Sequence, residues 1–94
     1  MNKYTRQNLI KIDSYVEAYE KFGDEFIEDF DISEISLNDL KNIFESRPND
    51  DVLSLSYEVD ESKASLINSF LNTQIVFDFN KCEYFLQRYG IYKD

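Results

Sequence analysis

Residues 10–32, IKIDSYVEAYEKFGDEFIEDFDI, decide the fold class. Ile10, Ile12, Val16 and Ala18 alternate with Lys11, Asp13, Tyr15, Glu17 and Tyr19, and only Ser14 interrupts the apolar side. A period of two is the signature of a half-buried strand. Gly23, within Phe22-Gly23-Asp24-Glu25, is suited to a hairpin turn at positive φ. Beyond it Phe26, Phe30 and Ile32 share a face with Glu28, while Glu25, Ile27, Asp29 and Asp31 point the other way. A helix competes for the same residues. Ser14 would be its N-cap, Glu17 would complete a capping box, Gly23 would stop it, and Tyr15, Ala18, Tyr19 and Phe22 would form its stripe. The hairpin is the favoured reading, and the helical alternative stays open for residues 8–32.

Downstream, Ser36 and Asp39 resemble a capping box, and Ile35 is placed to staple onto Leu40. Leu37, Leu40, Ile43 and Phe44 then give the stripe of a helix that ends before Pro48. From Val52 to Val59, Leu53, Leu55, Tyr57 and Val59 alternate with Ser54, Ser56 and Glu58, which predicts a strand. Asp60 is placed to cap a second helix lined by Ala64, Ile67, Phe70 and Leu71, with Asn72 just past its end. The dense run Ile75–Phe79 predicts a central strand. Asn80 and Glu83 suggest a further cap, with Cys82, Phe85, Leu86 and Tyr89 as a third helical stripe ended by Gly90. The expected architecture is therefore α+β in the order ββαβαβα. A mixed four-stranded sheet would carry about three helices on one face of a single domain spanning residues 1–94, with its core at about 8–91.

Composition limits the chemistry. The 94 residues hold 19 acids, 10 bases, one cysteine and no histidine, for a net charge of −9. Without histidine there is no Ser-His-Asp or Cys-His pair and no His-ligated metal, and a single cysteine builds neither a thiolate cage nor an internal disulfide. Leu, Ile, Val and Phe supply 29 residues, above the ~20% below which acidic chains tend to stay disordered, so the chain should fold. No secretory leader and no apolar run long enough to span a bilayer is evident, and a cytoplasmic protein is expected. The charge disfavours direct binding to nucleic acid or to an anionic membrane, and favours a cationic protein.

That charge is unevenly distributed. Between Phe22 and Leu40 stand seven acids without a base, and between Pro48 and Ser62 five more. Several serve helix ends, and the remainder form either a solvated face or a docking surface. The residues expected to bind a partner are Asp24, Glu25, Asp29 and Asp31, then Asp50, Asp51, Glu58 and Glu61. Tyr15 and Tyr19 stand beside Glu17 on the outward side of the first strand and are the expected anchors, because tyrosines are enriched at interface hot spots. The other aromatics, Phe26, Phe30, Phe44, Phe70, Phe77, Phe79 and Phe85, are expected in the core. No enzymatic activity, cofactor or metal is expected. Glu28 is an isolated acid on an apolar face without the cleft a glycosidase needs, and Asp29–Asp31 and Asn49–Asp51 lack the spacing of a calcium loop.

In length, acidity, α+β order and surface tyrosines, and in a late Ile75-Val76-Phe77-Asp78-Phe79 run followed by Glu83-Tyr84-Phe85-Leu86, the chain resembles the small acidic immunity proteins of bacterial polymorphic toxin systems. The likeness is strongest to those of contact-dependent growth inhibition. It implies an immunity protein that neutralises a cognate toxin domain, a basic and in some cases nuclease domain, by occupying its cationic surface. Two other readings share the charge: an acidic nucleic-acid mimic that blocks a defence protein, and a small adaptor subunit whose acidity is incidental.

Overall fold

Pairing of the first and last strands organises the molecule, which a computed structural model describes over residues 9–93. β1 (Leu9–Glu20) runs antiparallel to β4 (Cys82–Tyr92) along nearly its whole length, and to β2 (Phe26–Asp31) on its other side. The two-residue β3 (Tyr57–Glu58) closes the far edge, giving the sheet order β2-β1-β4-β3. Helices α1 (Leu37–Ile43) and α2 (Glu61–Phe70) complete a small α+β domain in the order ββαβαβ. The sheet has four strands, as expected, but its fourth is not the expected one, every pairing is antiparallel rather than mixed, and two helices, not three, are formed among the described residues.

The hairpin forms as the alternation of β1 requires, although its turn differs from expectation. Asp24 takes the left-handed conformation, at φ 59°, and Gly23 does not. A bulge between Ala18 and Tyr19 closes the hairpin end of the ladder. It turns Phe26 out of the core, where it stands exposed. Two of the three expected caps are in place: Ser36 Oγ accepts from Asp39 N at 3.1 Å, and Asp60 Oδ1 from Lys63 N at 2.9 Å. Ile35 and Leu40 are both buried, and Ala64 and Ile67 form the inner side of α2, whereas Phe70 is left exposed at its end.

Three expected elements are replaced, each for a local reason. Within Val52–Val59 only Tyr57 and Glu58 join the sheet. The buried Asp50 carboxylate takes the Ser54 and Leu55 amides, and Leu53 adopts φ 54°, so the run before Tyr57 curls around Asp50 instead of extending. The run Ile75–Phe79 forms no strand. The Asn68 side chain substitutes for a neighbouring strand, accepting from Ile75 N at 2.8 Å and donating to Ile75 O at 2.9 Å. Phe77 and Phe79 then stack on one another and meet the Tyr84 ring edge-on. The expected third helix is β4. Asn80 lies in a turn in which Asp78 O accepts from Lys81 N and Cys82 N, and this turn feeds the strand directly. Gly90 ends nothing: a side chain there would collide with the Tyr92 ring, so glycine leaves room for that ring within the strand.

The helices cover one face of the sheet, where Val16, Ala18, Tyr84, Leu86 and Tyr57 meet Ile32, Leu40, Phe44 and Ile67. Ser14, the polar interruption of β1, lies on this side and is fully engaged. Its N–H donates to Ser33 Oγ at 2.9 Å, its carbonyl accepts from Ile32 N, and its hydroxyl accepts from Arg88 Nε at 3.0 Å. Arg88 also donates to Val52 O, tying β4 to the Asp50 loop.

Candidate functional site: the open face of the sheet

Side chains opposite one another in an antiparallel ladder share a face. The register therefore places Tyr15, Glu17 and Tyr19 of β1 with Gln87, Phe85 and Glu83 of β4 and with Asp31, Asp29 and Phe26 of β2, on the side away from the helices. Asp13 and Tyr89 extend this face at one end, and Glu58 extends it at the β3 edge. Lys11, at 3.4 Å from Asp13, is the one base that the described strands contribute to it.

At its centre lies Glu17, only 7% exposed although no helix covers it. Tyrosines provide the cover. Tyr19 Oη donates to Glu17 Oε1 at 2.8 Å, and Tyr89 Oη to Oε2 at 2.6 Å. The bond to Glu17, followed by burial, pushes the Tyr89 hydroxyl up to about 12, and the same causes in the same order raise Tyr19. Tyr15 is raised too, by burial and then by Asp13, Asp31 and Asp29. The rings connect across three strands: Tyr19 meets Phe26 at 5.7 Å and Phe85 at 5.9 Å, and Tyr15 meets Tyr89 at 6.0 Å. The face thus carries two groups of aromatic rings, joined through the Glu17 carboxylate between them and bordered by further carboxylates.

One depression notches this surface and another lies beside it, at the edge where β3 leads into α2. Tyr19, Asp24, Ser56, Glu83, Phe85 and Gln87 line a cleft of about 250 Å³. A second, of about 210 Å³, brings Glu58, Asp60, Glu61 and Glu83 round a wall that includes Lys21 and Tyr84. A guanidinium or ammonium entering the first would meet two ring faces and two carboxylates.

The expected binding residues divide accordingly. Tyr15, Tyr19, Asp29, Asp31 and Glu58 lie on the open face, Asp24 lines its cleft, and Glu61 lines the second depression. Glu25 is exposed in the hairpin turn and Asp51 in the loop before β3. Asp50 does not reach the surface. It is 3% exposed and accepts from Ser54 N at 2.7 Å, Ser54 Oγ at 2.6 Å, Leu55 N at 3.1 Å and Tyr57 Oη at 2.6 Å. Burial pushes its carboxyl up, and the donors from Ser54, Tyr57 and Leu55 outweigh that effect and hold it well below the usual carboxylate range. Asp50 is a structural anchor of the loop. Asp31 has a smaller internal duty, capping Ser33 N at 2.8 Å; the Ser33 side chain and then its amide lower the Asp31 carboxyl, while its side chain stays exposed.

Sequence reading missed Phe85, Gln87 and Tyr89, because it took them as helical, and it missed Phe26 by assigning it to the core. The signal that could have found them was the alternation of Glu83, Phe85, Gln87 and Tyr89 with Tyr84, Leu86 and Arg88. No described group of His, Cys, Asp and Glu is arranged to hold a metal ion, and no described helix is long and apolar enough to cross a membrane.

Comparison with known proteins finds no matching curated protein and no matching solved structure. A family model described as Domain of unknown function (DUF7683) matches residues 13–87. That span begins in β1 and ends in β4, taking in β2, β3 and both helices on the way, and the chain belongs to the DUF7683 family.

Proposed function

We propose that this protein binds a cationic protein partner through the open face of its sheet, as an immunity protein would bind the basic surface of a cognate toxin domain. The observation that carries the reading is the layer of Tyr15, Tyr19, Phe26, Phe85 and Tyr89 around Glu17, bordered by Asp29, Asp31, Glu58 and Glu83. Aromatic rings that are rigid and partly exposed supply affinity when desolvated, and flanking carboxylates supply steering and register. Tyr19 and Tyr89 are fixed by their bonds to Glu17, so little side-chain freedom remains to be lost on binding. Arginines of a phosphate-binding groove would find the carboxylates of β2 on one side and those of β4 and β3 on the other, with rings between them. Such a face replaces the charge of a nucleic-acid substrate without offering its chemistry, and inhibition by occupation needs no catalytic residue.

The test is growth rescue in cells that co-express the toxin domain encoded beside this gene. The wild-type chain should protect. Reversing Asp29 and Asp31 to Lys should weaken protection, slow association at low salt and flatten its salt dependence, while Asp51→Lys, away from the face, should have little effect. Protection that survives both the double reversal and Tyr19→Ala would remove the open face from the mechanism, and absence of a toxic neighbour would remove the immunity reading.

A further inference from the structure

β2 forms one edge of the sheet, and the phase of its ladder is fixed. Ile32 N donates to Ser14 O, so the inward-facing backbone groups fall on Glu28, Phe30 and Ile32, and those of Asp29 and Asp31 point away from β1. Natural edges are commonly blunted by Pro, Lys or a covering segment. β2 has neither residue, and no described strand pairs with its outer side. Alongside lies a groove of about 580 Å³, whose near wall is Glu28–Asp31 and whose far wall includes Leu71, Ile75 and Val76. Val76 stands 88% exposed in that wall.

The geometry points to this edge as the seat of an added strand: an extended segment of a basic protein, with Lys or Arg at every second position. Residues facing Asp29 and Asp31 on the open side would be cationic, and the alternate ones, facing the groove, apolar against Leu71 and Val76. A second copy of this chain is the wrong occupant, since antiparallel pairing of β2 with itself sets Asp29 and Asp31 of one copy against the same aspartates of the other. Acidity thus acts as the edge protection, rejecting self-association while admitting a strand of opposite charge. The inference rests on the reading of a cationic protein partner but concerns the backbone edge of β2, which shares Asp29 and Asp31 with the aromatic face.

The probe is a blocked hexapeptide of alternating Lys and Val, titrated against the ¹⁵N-labelled protein. Saturable binding with slowed hydrogen exchange at the Asp29 and Asp31 amides is expected. A peptide with the same side chains but N-methylated along one edge should bind at least about tenfold more weakly, because only hydrogen bonding has been removed. Asp29→Pro should likewise weaken binding about tenfold relative to Asp29→Asn, which loses the same charge but keeps the outward N–H. Equal binding of the methylated peptide, or no protection at Asp29 and Asp31, would overturn strand addition even if Asp29→Pro fails to fold. If binding is instead lost in Tyr89→Ala and kept in Asp29→Pro, the peptide sits on the open face, so the edge proposal falls and the face reading stands.

Discussion

Replacing Tyr89 by Phe removes a single oxygen from the open face and keeps the ring beside Tyr15. The lost hydroxyl donates at 2.6 Å to a carboxylate oxygen of Glu17, which keeps Tyr19 on its other oxygen. A hydrogen bond to a charged acceptor contributes about 1.5–3 kcal/mol. Tyr89 is nearly half exposed, so water partly replaces it, and about 1 kcal/mol is the expected loss. For a domain of this size that lowers Tm by about 4–8 °C. The pH dependence gives a sharper check. The Tyr89 hydroxyl is raised from 10.0 to about 12 in the folded state. A group whose folded value lies above its unfolded value stabilises fully below the unfolded value and loses that contribution as pH rises through the folded one. A shift of two units corresponds to about 2.7 kcal/mol, which screening at so exposed a ring reduces to about 1 kcal/mol. Urea unfolding should therefore show a constant gap between wild type and Tyr89→Phe from about pH 6 to 9, closing between about pH 10 and 12. Phenolate absorbance should lose its latest-titrating component in the variant. A variant as stable as wild type at neutral pH, or a gap that persists at pH 12, would refute the clamp.

The same logic applies to Asp50 with the opposite sign. Asp50→Asn should lower the urea midpoint well beyond Asp51→Asn, since an amide cannot accept from four donors at once. The depressed carboxyl stabilises the fold above about pH 4 and loses that contribution as pH falls through its lowered value, so acid titration of the variant should be flatter below pH 4. In the core, Leu86 is completely buried on the helix side of β4. Leu86→Ala should cost about 2–5 kcal/mol by equilibrium unfolding, and a loss below about 1 kcal/mol would contradict the placement of β4.

Local signals carried the first hairpin and both helices. Val16 and Ala18 against Tyr15, Glu17 and Tyr19 form a strand with one dry face, and Ser36 and Asp60 are caps whose partners lie within three residues. The last third was misread because β4 carries large side chains on both faces. Tyr84 and Leu86 go to the core and Phe85 and Tyr89 to the open layer, so apolar residues at 82, 85, 86 and 89 imitate a helical stripe. The same property makes the site: an uncovered face rich in aromatic rings erases the polar half of the alternation that would have revealed the strand. The Asp50 loop and the Asn68–Ile75 clamp were illegible for another reason. In each, a polar side chain nearby in sequence takes the backbone groups that a strand would use, and the spacing of apolar residues does not record that competition.

The pairing of β1 with β4 also sets a clock. The two central strands lie at opposite ends of the described chain, so the sheet's longest ladder closes only when almost everything between them has been made. At about 5–20 residues per second, the ribosome needs on the order of several seconds to pass from Glu20 to Tyr92. During that interval β4 does not exist, and Val16 and Ala18 lack their partners Leu86 and Tyr84. High separation between paired residues slows folding afterwards as well. A protein built this way is supplied at the pace of its last strand, and translation that stalls before residue 82 yields none of it.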